Sequence, residues 1–171
     1  MADEVVDVRP AEATDAAKLL ALLAQLAGES NTFTVDDGIE NVSEADECQQ
    51  IEQITRTTTN VIFVAVLGSR LIGVGTVQAD EKLGEAQGEV GVAVLKEFWG
   101  MGLGTALVED IIDWARNYST LERLVLTVQT RNTRAAKLYQ HVGFEACTPA
   151  SYEVVDPTGQ HVAAMDMLMM V

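Results

Sequence analysis

The 171-residue sequence predicts an α/β fold in one domain over residues 1–171, a mixed central β-sheet of about seven strands flanked by about four helices. Three observations carry this expectation. Apolar residues make up 48% of the chain, enough to bury a full core. Short β-branched runs alternate with segments whose apolar residues recur at helical spacing. The second half reads strand, helix, strand, helix, strand, an order that implies right-handed crossovers and a partly parallel sheet.

Each element has its own local reason. Residues 5–9 read as a short strand. Residues 15–27 read as a helix, with Leu19, Leu22, Leu23 and Leu26 at helical spacing and Gly28 as its stop. Residues 31–41 form a polar, acidic loop, and residues 44–56 a second helix with Ile51 and Ile54 inward. The continuous run VIFVAVL at 61–67 predicts a buried strand. Gly68 and Ser69 turn it into an antiparallel return over 71–79. A turn at 80–88 leads to a third strand at 89–94. Residues 102–117 form a helix with Leu103, Leu107, Ile111 and Trp114 on one face. Residues 123–128 are a strand, and 132–141 a short helix with Ala135, Leu138 and Val142 inward. Residues 144–154 and 162–170 predict a closing hairpin around Asp156-Pro157-Thr158-Gly159.

Charge narrows the partners. Lys and Arg total 11 against 26 Asp and Glu, a formal charge of −15. Such a surface excludes nucleic acid as the main partner and disfavours anionic membranes. The longest apolar run is the seven residues 61–67, whereas a membrane span needs roughly 20. The acidic start MADEVVDVRP predicts no secretory leader. Cys48 and Cys147 are too few for a disulfide framework or a four-thiolate zinc site, and read as reduced thiols of a cytoplasmic protein. His141 and His161 lack metal-ligand spacing, so no metal is expected. Met165, Met167, Met169 and Met170 read as core and interface filling, and the apolar last strand makes a homodimer an expectation.

Chemistry concentrates in residues 89–105, EVGVAVLKEFWGMGLGT. A strand ends, and Gly100, Gly102 and Gly104 open a helix. Helix N-termini carry unpaired N–H groups and a positive dipole end, and glycines let a ligand approach the backbone, so the segment can cradle a phosphate or pyrophosphate. It is not a dinucleotide-binding fingerprint, because Thr105 stands where the last glycine belongs, and not a P-loop, because no Lys follows. A second segment, TVQTRNTRAAKLYQHVGF at 127–144, places Asn132 as a helix cap with Tyr139 two turns further on the same face.

Together these motifs resemble the GNAT superfamily of acetyl-CoA-dependent N-acyltransferases. The family pattern of Arg/Gln-x-x-Gly-x-Gly/Ala after a strand reads here as Trp99-Gly100-Met101-Gly102-Leu103-Gly104, followed by Asn132, Ala135, Leu138-Tyr139 and Gly143-Phe144. The ending from Gly159-Gln160-His161 through Met169 is similar to the small-molecule amine branch. One position departs: Trp99 stands where Arg or Gln is usual.

The resemblance implies a GNAT fold, acetyl-CoA as co-substrate and a small amine acceptor. Backbone amides of Val92, Ala93 and Val94 would hold the pantetheine arm, and those of Gly100, Met101, Gly102, Leu103, Gly104 and Thr105 the pyrophosphate. Asn132 would contact the cofactor and Tyr139 would donate to the leaving sulfur. Glu89 is the candidate base, since an alkylammonium must lose a proton before it attacks. The Val94 amide would hold the oxyanion. No covalent enzyme intermediate is needed, which leaves Cys147 without a nucleophilic role. The acidic stretch from Glu29 to Glu52, with eight acids and no Lys or Arg, points to a cationic acceptor. Residues 98–105 contain no cation, so Arg131 or, by preference, Arg134 is expected at the adenosine phosphates. A protein N-terminal or lysine acetyltransferase and a non-catalytic acyl-CoA sensor stay open as alternatives.

Overall fold

The computed structural model describes residues 5–29, 41–79, 86–147 and 151–171. In chain order the elements are β1 (Val6–Pro10), α1 (Ala16–Glu29), α2 (Glu44–Thr55), β2 (Val61–Leu67), β3 (Arg70–Ala79), β4 (Gln87–Val94), α3 (Leu103–Asn117), β5 (Arg123–Gln129), α4 (Thr133–Val142), β6 (Glu145–Ala146), β7 (Tyr152–Val155) and β8 (His161–Met170). All eight strands join one sheet in the order β1-β2-β3-β4-β5-β8-β6, with β7 also pairing β8. β4 and β5 run parallel; the remaining pairs are antiparallel.

The helices lie on both faces. α3 packs on one face, where Gly75 permits close approach: a Cβ there would stand 2.9 Å from Ile111 Cδ1. By strand alternation Ile72 and Val74 point the other way, and they are fully buried beneath α1 and α2. The core is continuous across both faces, from Leu19, Leu22 and Leu26 to Leu107, Ile111 and Leu124.

Three expectations are corrected. Gly28 does not stop α1, which continues to Glu29. The extension has a tertiary cause: the Glu29 carboxylate accepts the Lys96 amide at 2.9 Å. β4 starts at Gln87 rather than Glu89, because Gln87, Gly88 and Glu89 pair with Arg123, Leu124 and Val125 of β5. The first arm of the closing hairpin is divided into β6 and β7, which pair with different stretches of β8. The sheet has eight strands with this division, in line with the expected mixed sheet of about seven. The acidic loop at 31–41 and the turn at 80–88 lie largely outside the described residues.

Candidate active site

The site begins where two strands part. β4 pairs with β5 only as far as Glu89, although β4 runs on to Val94 and β5 to Gln129. On its other side β4 remains paired to β3 up to Val94 opposite Gly73. The Leu95 amide donates to the Ile72 carbonyl at 2.9 Å, which sets the phase of that ladder. Antiparallel alternation then directs the peptide groups of Ala93 to β3 and those of Val92 and Val94 into the gap beside β5. Val92 and Val94 thus offer a strand edge that an extended ligand bearing amides could complete. Ala93 lines the gap, but its peptide groups serve the ladder.

The gap opens into a cleft of about 1030 Å³, walled by β4, the glycine turn and α4. Gly100 and Gly102 adopt φ of +83° and +79°, the left-handed region that glycine tolerates. Gly102 caps α3 without a side-chain bond, and the first intrahelical bond runs from the Ala106 amide to the Gly102 carbonyl at 3.1 Å. The amides of Leu103, Gly104 and Thr105 are consequently left as donors at the positive helix end, and all three residues line the cleft. Gly104 also admits α4, since a Cβ there would stand 2.9 Å from Leu138 Cδ1. Met101 is 61% exposed and lies outside the lining, so its backbone alone could serve a ligand.

α4 and the residues just before it form the facing wall and carry basic side chains. Arg131, Arg134, Lys137 and His141 all line the cleft. Arg131 is committed elsewhere: its Nε donates to Gln129 and its Nη2 to the buried Asp156, each at 2.7 Å. Arg134 lies over the Trp99 ring, Cζ to centroid 5.6 Å. The indole Nε1 of Trp99 in turn donates to the Val94 carbonyl at 2.7 Å. Asn132 caps α4, its side-chain oxygen accepting the Ala135 amide at 3.3 Å, which leaves its NH₂ group for other partners. Tyr139 is buried on the cleft floor, its ring edge-on to Phe144 at 5.7 Å and 68°. Burial pushes its hydroxyl up to about 12, so the phenol stays protonated at neutral pH.

Glu89 is exposed and outside the cleft, on the sheet face opposite α3. It shares that face with Thr127, Asp166 and Tyr152, a group the sequence reading missed. Asp166 Oδ1 accepts from the Tyr152 hydroxyl at 2.6 Å and from the Thr127 hydroxyl at 2.7 Å. Desolvation, then the Asp166 bond, and also the Glu89 charge push the Tyr152 hydroxyl up. Leu26 and Glu29 of α1 also line the cleft unforeseen. Neither group carries a local motif; strand register and helix docking bring them here. No group of three or more metal-ligating side chains occurs among the described residues. No helix there is long and apolar enough to cross a membrane.

A splayed parallel strand pair, a glycine-capped helix N-terminus and an open strand edge together offer backbone donors to an extended ligand with an anionic end. The model of the Acetyltransferase (GNAT) family matches residues 22–144, and the chain belongs to that family. It is 31% identical over 84 residues to the uncharacterized N-acetyltransferase YobR of Bacillus subtilis, covering 49% of this chain and 32% of that relative. The chain thus spans about a third of that curated relative's length. An acetyltransferase of GNAT family from Streptococcus pneumoniae superposes with a TM-score of 0.89 at 28% identity, covering 98% of this chain and all of that one. The fold also matches yncA of Salmonella typhimurium, solved with its cofactor acetyl-CoA, with a TM-score of 0.79 at 18% identity over 96% of this chain and 93% of that one.

Proposed function

We propose that the protein transfers the acetyl group of acetyl-CoA to a primary amine of a small, cationic acceptor by direct attack in a ternary complex. The observation that carries this reading is the parting of β4 from β5 directly beside the glycine-capped start of α3. The residues present fit the co-substrate. Val92 offers its N–H and C=O groups to an amide-bearing arm, and the amides of Leu103, Gly104 and Thr105, with Gly100 and Gly102 giving access, suit a pyrophosphate. Asn132 and Arg134 stand over its far end. Bound acetyl-CoA supplies an acyl carbon activated as a thioester.

The chain's own groups then have distinct tasks. Glu89, the last β4 residue paired to β5 and outside the cleft itself, accepts the proton of the incoming ammonium through water, because an alkylamine is mostly protonated near pH 7. The Val94 amide, pointing into the gap, donates to the carbonyl oxygen as it gains charge. Tyr139 donates a hydrogen bond to the sulfur. Its hydroxyl, at about 12, is a far weaker acid than a thiol of roughly 8.5, so it stabilises the thiolate by hydrogen bonding rather than by giving up its proton outright. Glu89 and Asp166 supply negative charge on the opposite sheet face, which supports a cationic acceptor. The reading includes the small-molecule amine branch, a cytoplasmic enzyme and a homodimer.

The test is release of coenzyme A against a panel of polyamines, amino acids, aminoglycosides and peptides at low and high salt. Cationic small amines should turn over best, and salt should slow them. Peptides turning over best would move the reading to a protein acetyltransferase. Tight coenzyme A binding with no turnover on any amine would move it to a sensor.

A further inference from the structure

We propose that Trp99 is a positioning residue for Arg134, and that the pair supplies the phosphate-binding cation which the glycine turn itself lacks. The inference rests on the coenzyme A reading above. Residues 98–105 contain no Lys or Arg, although the amides of Leu103, Gly104 and Thr105 are left as donors at the start of α3. Arg134 reaches that place from α4: its Nη2 stands 3.8 Å from the position a Cβ would take on Gly100. Among the described residues no carboxylate forms an ion pair with it, unlike Arg131 with Asp156.

What holds Arg134 there is the indole face, 5.6 Å away. Trp99 is 47% exposed, so hydrophobic burial does not account for its placement. Its Nε1 bond to Val94 does, tying the ring to the last residue of β4. Stacking restricts a side chain that is otherwise rich in rotamers, yet leaves the in-plane N–H groups of the guanidinium free to grip a phosphate. The chain Val94–Trp99–Arg134 therefore couples the end of the open strand to the phosphate end of the cleft.

A double-mutant cycle tests this by calorimetric titration with coenzyme A. Turnover of S-acetylpantetheine, which lacks the phosphates, provides the parallel readout. Arg134→Ala should weaken coenzyme A about tenfold, and Trp99→Leu about threefold. The double variant should be no weaker than Arg134→Ala. In each variant kcat/KM should fall more for acetyl-CoA than for S-acetylpantetheine. Additive losses, or an equal loss with the truncated thioester, would overturn the role of Trp99. If Trp99→Leu does not fold, Trp99→Phe replaces it in the cycle, with a smaller loss that Arg134→Ala again absorbs. Failure of the unaltered protein to bind coenzyme A would instead overturn the co-substrate reading.

Discussion

The Arg131 guanidinium donates to the carboxylate of Asp156 at 2.7 Å, joining the residues before α4 to the turn between β7 and β8. Asp156 is fully enclosed and also accepts the amides of Thr158 and Gln160, both at 2.9 Å. The Thr158 hydroxyl foremost, then the Gln160 amide and Arg131, holds its carboxyl well below the usual range. Arg131 is thereby occupied with structure, while Arg134, three positions on, is not.

This division predicts how two variants differ. Arg134→Ala should weaken coenzyme A binding. Arg131→Ala should keep that affinity and lower the melting temperature instead. Unchanged affinity in both would make the arginines spectators at the phosphates.

Tyr139→Phe should lower turnover by about 10²–10³-fold, the range for losing one hydrogen-bond donor to charge that develops in the transition state, with little change in acetyl-CoA affinity. Because the hydroxyl is held at about 12, no fall in rate from its ionisation should appear below roughly pH 10. Full activity in the Phe variant would remove Tyr139 from the mechanism.

Glu89→Gln tests the base. At pH 7 kcat/KM for the amine should fall by on the order of 10²-fold, and the deficit should shrink toward pH 9–10, where more acceptor is already neutral. A pH-independent deficit would show that Glu89 positions substrate rather than taking a proton.

Asp15 offers a stability prediction. Its carboxylate accepts two bonds from Arg9, at 2.7 and 2.9 Å, and the Glu12 amide at 2.7 Å. Arg9 chiefly, then the Glu12 amide, lowers its pKa below the usual carboxylate value. A depressed folded pKa gives stability that is present above the unfolded value and fades as pH falls. Asp15→Asn should therefore cost about 2 kcal/mol at pH 7, measured by urea unfolding, and the gap from the unaltered protein should close below about pH 4. A gap that persisted at pH 2–3 would assign the effect to packing instead.

The elements read best were those whose cause is local. The strand Val61–Leu67 has the expected bounds because an unbroken β-branched run allows little else. The glycine turn, Asn132 and Tyr139 were legible because strand-to-turn-to-helix chemistry and a seven-residue helical spacing lie within one stretch of chain. α1 was misjudged at Gly28 because a distant amide, that of Lys96, binds Glu29 and rewards two more residues of helix.

By itself the sequence determined the alternation of elements, the helix N-terminus that awaits an anion and the buried phenol two turns along α4. Only the tertiary structure decided that β4 leaves β5 after Glu89, that Val92 and Val94 rather than Ala93 face the gap, that Arg134 lies over the Trp99 ring, and that Tyr152 and Thr127 meet on Asp166. Propensities and helix ends are set by neighbours a few residues away, and so are written in order along the chain. Strand register, ion pairs and stacking depend on which distant segments dock, and docking is chosen by the burial of the whole core, which no single stretch of sequence records.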